Sequence, residues 1–297
     1  MARSPRRPGA LRRALRVAPV LLVALLTVPG SAAGATDPVL VCAGDIASCS
    51  STGDSRTAAL IGATPGTVFT LGDNAYASGT AAQYRDCYGP TWGLYRSRTR
   101  PAAGNHDYVT TGAAAYFDYF GTRAGNPRYG FYAYDVGTWR VYVLNSNCGQ
   151  VSCAVGSAQE RWLRADLAAY PHRCVLAYWH HPLFSSGAHG NTSAVRPLFQ
   201  ALYDAGAELV LNGHDHDYER FAPQSAWGTA TSRGIREIVV GTGGASLRSF
   251  GTVKRNSVAR GIGYGVIRLA LRSDGYSWRF HPAAGSTYAD SGSAYCH

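Results

Sequence analysis

The sequence predicts an α/β sandwich, and three observations support that prediction. Four short apolar segments, VLVCAGD, GTVFTLGDNAY, RCVLAYWHHP and AELVLNGHDHD, are rich in Val and Leu, as strands covered on both faces are. Helix-like stretches alternate with these segments, which is typical of α/β folds. Each segment also ends in a cluster of polar residues, which contains Asp45, Asp73, His180 or His214.

The remaining elements follow in order along the chain. The predicted helices are DSRTAALIGAT after the first strand, TAAQYRDCYGPTWG after the second, GSAQERWLRADLAAY before the third and SAVRPLFQALYDAG before the fourth. In the last of these, Val195, Leu198, Phe199 and Leu202 form an apolar face at helical spacing. Three further segments predict hairpins with Gly, Asp or Ser at the turns: YGFYAYDVGTWRVYVLNS, REIVVGTGG and YGVIRLALRSDGYSWRFHP.

Residues 1–35 have the pattern of a secretory signal peptide. Six arginines precede an apolar run from about Val17 to Val28, and Ala33-Gly34-Ala35 suits cleavage by signal peptidase. The run is too short for a comfortable membrane span, which disfavours a stable anchor. Paired arginines leave Sec and twin-arginine export both open. We therefore predict a secreted protein in which residues 36–297 form a single domain.

The charge of the predicted mature chain is modest. The whole chain has 28 basic and 18 acidic residues and a formal net charge of +10. Without the six arginines of the leader, 22 basic residues stand against 18 acidic ones, and the net charge falls to +4. The mature part has no basic tract, so we predict no nucleic acid as a specific partner.

Seven cysteines in an exported chain predict disulfides and leave at least one thiol free. Six cysteines allow 15 connectivities, so the sequence alone leaves the pairing open. Cys42 lies inside an apolar strand, where a buried free thiol is expected. The pairs that we favour are Cys49–Cys87, Cys148–Cys153 and Cys174–Cys296.

The polar clusters form a predicted metal site. Ligands in open α/β sheets collect beyond the carboxyl ends of strands, so one edge of the sheet is expected to bring these clusters together. Oxygen donors and imidazoles without a thiolate suit Fe, Zn or Mn, and the donors are numerous enough for two ions. An extended GHDHD segment would put His214 and His216 on one side and Asp215 on the other. The candidate donors and neighbours are Asp45, Asp73, Tyr76, Asn105, His106, His180, His181, His214 and His216.

Five blocks in this order, GDIA, GDNAY, GNHD, WHHP and GHDHDYER, resemble the calcineurin-like metallophosphoesterases from about Val39 to His281. Many relatives have a histidine two residues after the first aspartate, and Ala47 takes that position here. Tyr76 follows Asp73 by three residues, as in the purple acid phosphatase branch, whose tyrosinate ligates ferric iron. The resemblance implies a four-layer α/β/β/α sandwich of two mixed sheets.

The resemblance also implies a role for each site residue. The first metal, expected to be Fe(III), would be held by Asp45, Asp73, Tyr76 and His216, with Asp73 bridging. The second, expected to be Zn, Fe(II) or Mn, would be held by Asn105, His180 and His214. His106 would face the phosphate and stabilise the transition state or protonate the leaving oxygen, and Asp107 would orient it. His189, nine residues after His180, would face the substrate.

The implied function is that of a secreted binuclear phosphoesterase, which hydrolyses small phosphate monoesters by attack of a metal-bound hydroxide. A phosphodiesterase acting on nucleotides, phospholipid head groups or cell-wall phosphodiesters is the alternative, because the ligand set does not separate the two. A non-catalytic protein that binds phosphate or metal is a third possibility, disfavoured because every expected ligand position is filled. We expect Asp215, Asp217 and Glu219 to support the ligands. The role of His181 and the oligomeric state stay open.

Overall fold

Two large mixed sheets, of six and seven strands, dominate the fold. The structure, a computed structural model, describes residues 1–5, 9, 37–171 and 174–297. The segment from Asp37 to His297 forms one compact unit. Nearly all of the predicted signal peptide, residues 1–35, lies outside the described residues.

The seven-stranded sheet has parallel strands at its centre and antiparallel strands at both margins, whereas the parallel strands of the six-stranded sheet lie at one of its edges. In the six-stranded sheet the order is β15-β14-β13-β1-β3-β5, and in the seven-stranded sheet it is β12-β10-β11-β9-β8-β7-β6, while β2 and β4 form a small parallel pair. In chain order, the strands are β1 (Val39–Ala43), β2 (Ala47–Ser48), β3 (Thr67–Leu71), β4 (Ala75–Tyr76), β5 (Thr99–Ala102), β6 (Tyr132–Val136), β7 (Trp139–Val143), β8 (Cys174–Tyr178), β9 (Leu209–Asn212), β10 (Tyr218–Phe221), β11 (Arg236–Val240), β12 (Ser257–Gly261), β13 (Gly265–Arg272), β14 (Gly275–Pro282) and β15 (Ser291–Tyr295).

The helices lie where the sequence predicts them, apart from one interruption and a helix at Ala114–Phe120 that is not predicted from the sequence. They are α1 (Gly53–Ala63), α2 (Ala81–Gln83), α3 (Ala114–Phe120), α4 (Ala158–Ala169) and α5 (Arg196–Asp204). The second predicted helix breaks after α2 into a π-helical turn, Tyr84–Tyr88, and a 3-10 segment, Trp92–Arg98. Further 3-10 turns are Asp107–Val109, Thr111–Ala113, Gly121–Ala124 and Ser193–Val195. Within the described ranges, none of the helices combines the length and the apolar composition that a bilayer crossing requires.

Burial on both faces of the central strands explains their continuous apolar sequences. Along β7, Val141 and Val143 belong to the apolar cluster that also contains the buried residues of the six-stranded sheet. Tyr142, between them, belongs to a second cluster with Leu163 of α4 and Phe199 of α5. The alternation follows from the two-residue period of a strand. The helices α4 and α5 therefore cover the outer face of the seven-stranded sheet, and α1 packs near β13 of the other.

The hairpin predictions are confirmed for β6–β7 and for β13–β14, both antiparallel pairs. The third, REIVVGTGG, is wrong: it forms the single strand β11, parallel to β9 and antiparallel to β10. The glycines that suggested a turn allow a close backbone approach instead. Gly243 N donates to Gly44 O over 2.8 Å, and a Cβ on Gly243 would lie 2.5 Å from that oxygen.

Three disulfides link the chain, and all three favoured pairs are confirmed: Cys49–Cys87, Cys148–Cys153 and Cys174–Cys296. Cys42 is buried and free, as expected. The Cys174–Cys296 bridge connects the first residue of β8 to the residue after β15. It therefore ties the seven-stranded sheet to the six-stranded sheet.

Candidate metal centre

The candidate donors follow the carboxyl ends of parallel strands in both sheets. Asp45, Asp73, His180 and His214 each come two residues after a strand, namely β1, β3, β8 and β9. Asn105 comes three residues after β5. Because β1, β3 and β5 run parallel in one sheet, and β8 and β9 in the other, all five residues reach one end of the sandwich.

A first group of donors surrounds the phenol oxygen of Tyr76. This oxygen lies 2.7 Å from Asp45 Oδ1, 2.9 Å from Asp73 Oδ2 and 3.2 Å from His216 Nε2. A phenol has one proton, so it can donate to only one of these three acceptors at a time. The remaining contacts bring lone pairs together, and a cation would satisfy them.

A second group of donors surrounds His180. Its Nε2 lies 3.1 Å from Asn105 Oδ1, 3.3 Å from His214 Nδ1 and 3.3 Å from Asp73 Oδ2. Asp73 Oδ2 thus lies within reach of both groups. Among the described residues, Asp45, Asp73 and His180 form one cluster with metal-ligand spacing, and His180, His181 and His214 form another.

Backbone carbonyls orient two of the imidazoles. His180 Nδ1 lies 2.8 Å from Leu71 O, and His216 Nδ1 lies 2.5 Å from Ser246 O. Since a carbonyl only accepts, each Nδ1 carries the proton and donates it. Each Nε2 is then left with the lone pair that a metal needs, which is how outer contacts prepare imidazole ligands.

The electrostatics of the two donor groups favour a cation. Burial alone would lower the pKa of His180, but the Asp73 carboxylate raises it to about 9. Burial and the Asp45 carboxylate raise the pKa of Tyr76 well above its usual value. The buried carboxylates therefore attract positive charge, here a proton on His180. The donor set of carboxylate, phenol, amide and imidazole fits two ions of the Fe, Zn or Mn type.

Three of the donor residues have positive φ values, and this backbone conformation orients their side chains. Asp45, Asp73 and His214 have φ values of 60°, 50° and 73°, in the left-handed region that few residues other than glycine adopt. The prediction of an extended GHDHD segment is therefore wrong, since His214 turns the chain. His214 and His216 still face the donor groups, while Asp215 accepts hydrogen bonds from Ser185 Oγ and from the backbone N–H of His189.

His106 lies at the open side of the donor groups. Its side chain is 32% exposed, and its Nε2 lies 3.9 Å from Asp73 Oδ2. The prediction that Asp107 orients this ring does not hold, because His106 Nδ1 donates to Ala77 O over 2.6 Å. The buried Asp107 carboxylate instead accepts hydrogen bonds from Tyr84 Oη, from Asn74 and from Gly104 N. Burial and the charge of Asp73 raise the pKa of Asp107 to about 6.

Asp107 therefore joins the two loops that carry Asp73 and Asn105. The fit between these loops is tight: a Cβ on Gly104 would lie 2.1 Å from Asp73 Oδ1. The same Oδ1 accepts the backbone N–H of His106 over 2.8 Å. Asp107 thus positions the loops rather than facing a substrate.

His189 and the acids of the GHDHDYER block surround the donors. The exposed His189 ring stacks on His214 with 4.3 Å between ring centres. Glu219 accepts hydrogen bonds from Ser186 and Ser257, as expected for a supporting residue. The Asp217 carboxylate is fully buried and has no hydrogen-bond partner among the described residues. Burial together with the charge of Asp215 raises its pKa to about 8.

One part of the site was missed by the sequence predictions. Since β7 runs parallel to β8, the segment after β7 reaches the same end of the sandwich. There the buried Ser146 Oγ lies 2.8 Å from His181 Nδ1 and accepts the His181 backbone N–H over 2.9 Å. The signal was present in VYVLNSN, an apolar strand that ends in a polar cluster like the other four, but the hairpin interpretation concealed it.

The chain is similar in sequence and in fold to known proteins. The profile of the family described as calcineurin-like phosphoesterase matches residues 29–218. An uncharacterised protein of Mycobacterium tuberculosis is 29% identical over 185 residues, which are 49% of this chain and 35% of that protein. Purple acid phosphatase 15 of Arabidopsis thaliana is 24% identical over 198 residues, which are 54% of this chain and 37% of that protein.

A solved structure shares the fold. Purple acid phosphatase PPD1 from yellow lupin (Lupinus luteus) seeds superposes with a TM-score of 0.76 at 19% identity, over 87% of this chain and 53% of that one. The predicted sandwich of two mixed sheets is thereby confirmed. The chain spans about a third of the length of the curated relatives that it matches.

Proposed function

The chain belongs to the calcineurin-like phosphoesterase family, and we propose that it hydrolyses small phosphate monoesters at a centre of two metal ions. The observation that carries the proposal is the convergence of two donor groups on Asp73, whose Oδ2 lies 2.9 Å from Tyr76 Oη and 3.3 Å from His180 Nε2. Sites with two adjacent ions are suited to displacement at phosphorus.

The proposed ligands follow the two donor groups. Asp45, Tyr76 and His216 would hold the first ion, and Asn105, His180 and His214 would hold the second, with Asp73 within reach of both donor groups. A phenolate and two carboxylates favour a hard trivalent ion, so Fe(III) is proposed for the first position. Imidazoles and an amide oxygen suit Zn, Fe(II) or Mn in the second position.

In the proposed reaction the protein side chains orient the ester and move protons. The bound ions supply Lewis acidity and lower the pKa of coordinated water. The His106 Nδ1–H group donates a hydrogen bond to Ala77 O. This bond fixes the ring with Nε2 towards the open side of the site. Protonated at Nε2, the ring can deliver a proton to the leaving oxygen. His189 lies on the same open side, stacked on His214, and contacts the substrate.

A comparison of two substrates tests this proposal. Protein loaded with iron and zinc is expected to hydrolyse 4-nitrophenyl phosphate faster than bis(4-nitrophenyl) phosphate, by at least tenfold in kcat/KM. Asp73→Asn should reduce turnover of the monoester at least a hundredfold, because it removes the carboxylate common to both groups.

Asp118→Asn, at an exposed aspartate, is the matched control and should keep wild-type turnover. Near wild-type activity in Asp73→Asn, with the metal content measured, would show that the site is misassigned. A preference for the bis ester would contradict the monoesterase proposal and support phosphodiesterase activity instead.

We also propose that the protein is exported, with residues 1–35 as its leader. The three disulfides support this, since such bonds persist in oxidising compartments. The intact mass of the protein recovered from the culture medium checks it. A recovered chain that still contains residues 1–35 would contradict the proposed cleavage.

A further inference from the structure

We propose that a cavity beside Asn105 and His181 receives the organic group of the substrate, and that it selects uncharged groups over groups that carry a second phosphate. The cavity has a volume of about 400 Å³, within the usual range of small-molecule sites. This inference rests on the proposed function, because it names the substrate class of the same site.

The cavity begins at the candidate metal centre. Asn105 and His181 both line it. The Asn105 Oδ1 atom lies 3.1 Å from His180 Nε2, and the His181 ring centre lies 4.4 Å from that of His214. A phosphoryl group at the second donor group would therefore have its ester oxygen near the mouth of this cavity.

The described residues that line the cavity include no lysine, arginine, aspartate or glutamate. Its polar side chains are neutral, and they include Tyr108, Asn147, Gln150 and Thr192. Ser146 accepts the backbone N–H of His181, which leaves the Ser146 hydroxyl proton for His181 Nδ1. Amides and hydroxyls can bind hydroxyl groups or the edge of an aromatic ring, whereas a phosphate dianion would lose its hydration without gaining an opposite charge.

The wall that carries Gln150 is held in place before any ligand binds. Gln150 lies in the short loop that the Cys148–Cys153 disulfide closes. Its backbone N–H donates to Asn147 O over 2.8 Å, and that of Val151 donates to the same oxygen over 2.9 Å. Among the described basic residues, Arg128 lines a neighbouring cavity that shares Gln150, and Arg248 is on a loop whose backbone contacts His216, outside this lining. A preformed neutral wall therefore discriminates by charge.

Two inert ligands of matched shape test the charge selection. Phenylphosphonate and 1,4-phenylenediphosphonate share the ring and differ by the second phosphonate. Calorimetric titration of the iron- and zinc-loaded protein is expected to give a Kd at least tenfold higher for the diphosphonate. Gln150→Arg and Ala194→Arg each place a cation at the cavity. Each should reduce the ratio of the diphosphonate Kd to the phenylphosphonate Kd at least fivefold, because the diphosphonate binds more tightly.

Val155→Arg is the matched control, because Val155 is 78% exposed and does not line the cavity. It should leave the ratio unchanged. Equal Kd values for the two ligands in the wild-type protein would overturn the inference. So would a ratio that neither cavity variant changes, or one that Val155→Arg changes equally.

Filling the cavity tests its occupancy separately. Ala194→Trp should raise the Kd of phenylphosphonate at least fivefold and leave that of methylphosphonate unchanged, because methylphosphonate has no group to place there. Equal effects on both ligands would contradict the assignment of the cavity. Binding is measured without turnover, so failure of these ratios is distinct from failure of the proposed function, which would appear as no hydrolysis of any ester.

Discussion

At the scale of single residues, the site depends on backbone conformations that most side chains avoid. Asp45, Asp73 and His214 are three of the five non-glycine residues with positive φ in the described part of the chain. Such conformations cost on the order of 1 kcal/mol each, and they persist where the surrounding structure enforces them. Their concentration at the candidate ligands indicates that packing of the strand ends, rather than local preference, aims these donors.

Tyr76 is the residue that distinguishes the proposed iron centre from other binuclear centres. Iron-loaded protein is expected to show a visible charge-transfer band from a phenolate bound to Fe(III), and Tyr76→Phe should abolish it. Tyr129→Phe, at a half-buried tyrosine away from the donor groups, should keep the band. Absorption spectra are compared at equal measured iron content. A colourless wild-type protein with stoichiometric iron would argue against Tyr76 as a ferric ligand.

At the scale of elements, β11 supports the loop that follows His180. Glu237 of β11 is fully buried, and its carboxylate accepts the backbone N–H groups of Leu183 and Phe184 over 2.8 and 3.0 Å. Burial raises its pKa to about 8 in the folded protein. The folded state therefore retains a proton that the unfolded chain has lost, from about pH 4.5 to pH 8. The contribution of Glu237 to stability must fall as pH rises through that window.

The fall in the Glu237 contribution with rising pH predicts how Glu237→Gln should behave. The excess stability of wild type over the variant should shrink between pH 5 and pH 8, by on the order of 3 kcal/mol in the free energy of unfolding. Urea titration of the metal-free proteins measures it. Glu160→Gln is the control. Burial raises the Glu160 pKa, but the hydrogen bond from Arg164 and the further contacts of the carboxylate together lower it by more, so the net pKa lies below its usual value. The stability difference between wild type and Glu160→Gln should therefore stay constant from pH 5 to pH 8. If the stability excess of wild type over Glu237→Gln grows with pH, the prediction is contradicted.

The sequence predicts the elements well because their signals are local. Apolar runs followed by polar clusters locate β1, β3, β8 and β9 with their donors, and helical spacing locates α5. Strand pairing and loop contacts depend on residues far apart in the sequence, and the wrong predictions concern such contacts. Whether the glycines after β11 form a turn or a close approach depends on Gly44, about 200 residues away. Asp107 follows His106 in sequence, but the turn at Asp107–Val109 directs its carboxylate to Tyr84 and Asn74.

At the scale of the whole molecule, the disulfides differ in how much chain they constrain. Cys174–Cys296 spans 122 residues, while Cys148–Cys153 spans 5. In the chain-entropy description, the longer loop contributes about 5 kcal/mol to stability and the shorter one about 2 kcal/mol. The longer bridge also begins at the first residue of β8, at the opposite end of that strand from His180.

Removing the long bridge should therefore destabilise the fold and spare the site. The double variant Cys174→Ser/Cys296→Ser is expected to lose 2–5 kcal/mol in the free energy of unfolding and to retain the kcat of the wild type. The double variant Cys148→Ser/Cys153→Ser, the comparison, should lose less stability. Denaturant titrations and steady-state kinetics measure both. A larger loss from the short bridge would contradict the loop-length argument.

The distribution of the donors over both sheets has a consequence for the way in which the protein acquires its ions. Each donor group draws on the two sheets: Asp45 and Tyr76 meet His216, and Asn105 meets His180, which in turn contacts His214. Neither half of the chain can assemble a complete group, so ions are captured only after the sheets have docked. The metal content is therefore decided by the ion supply of the compartment where folding ends. One polypeptide, folded before or after the proposed export, would mature into two differently metallated proteins.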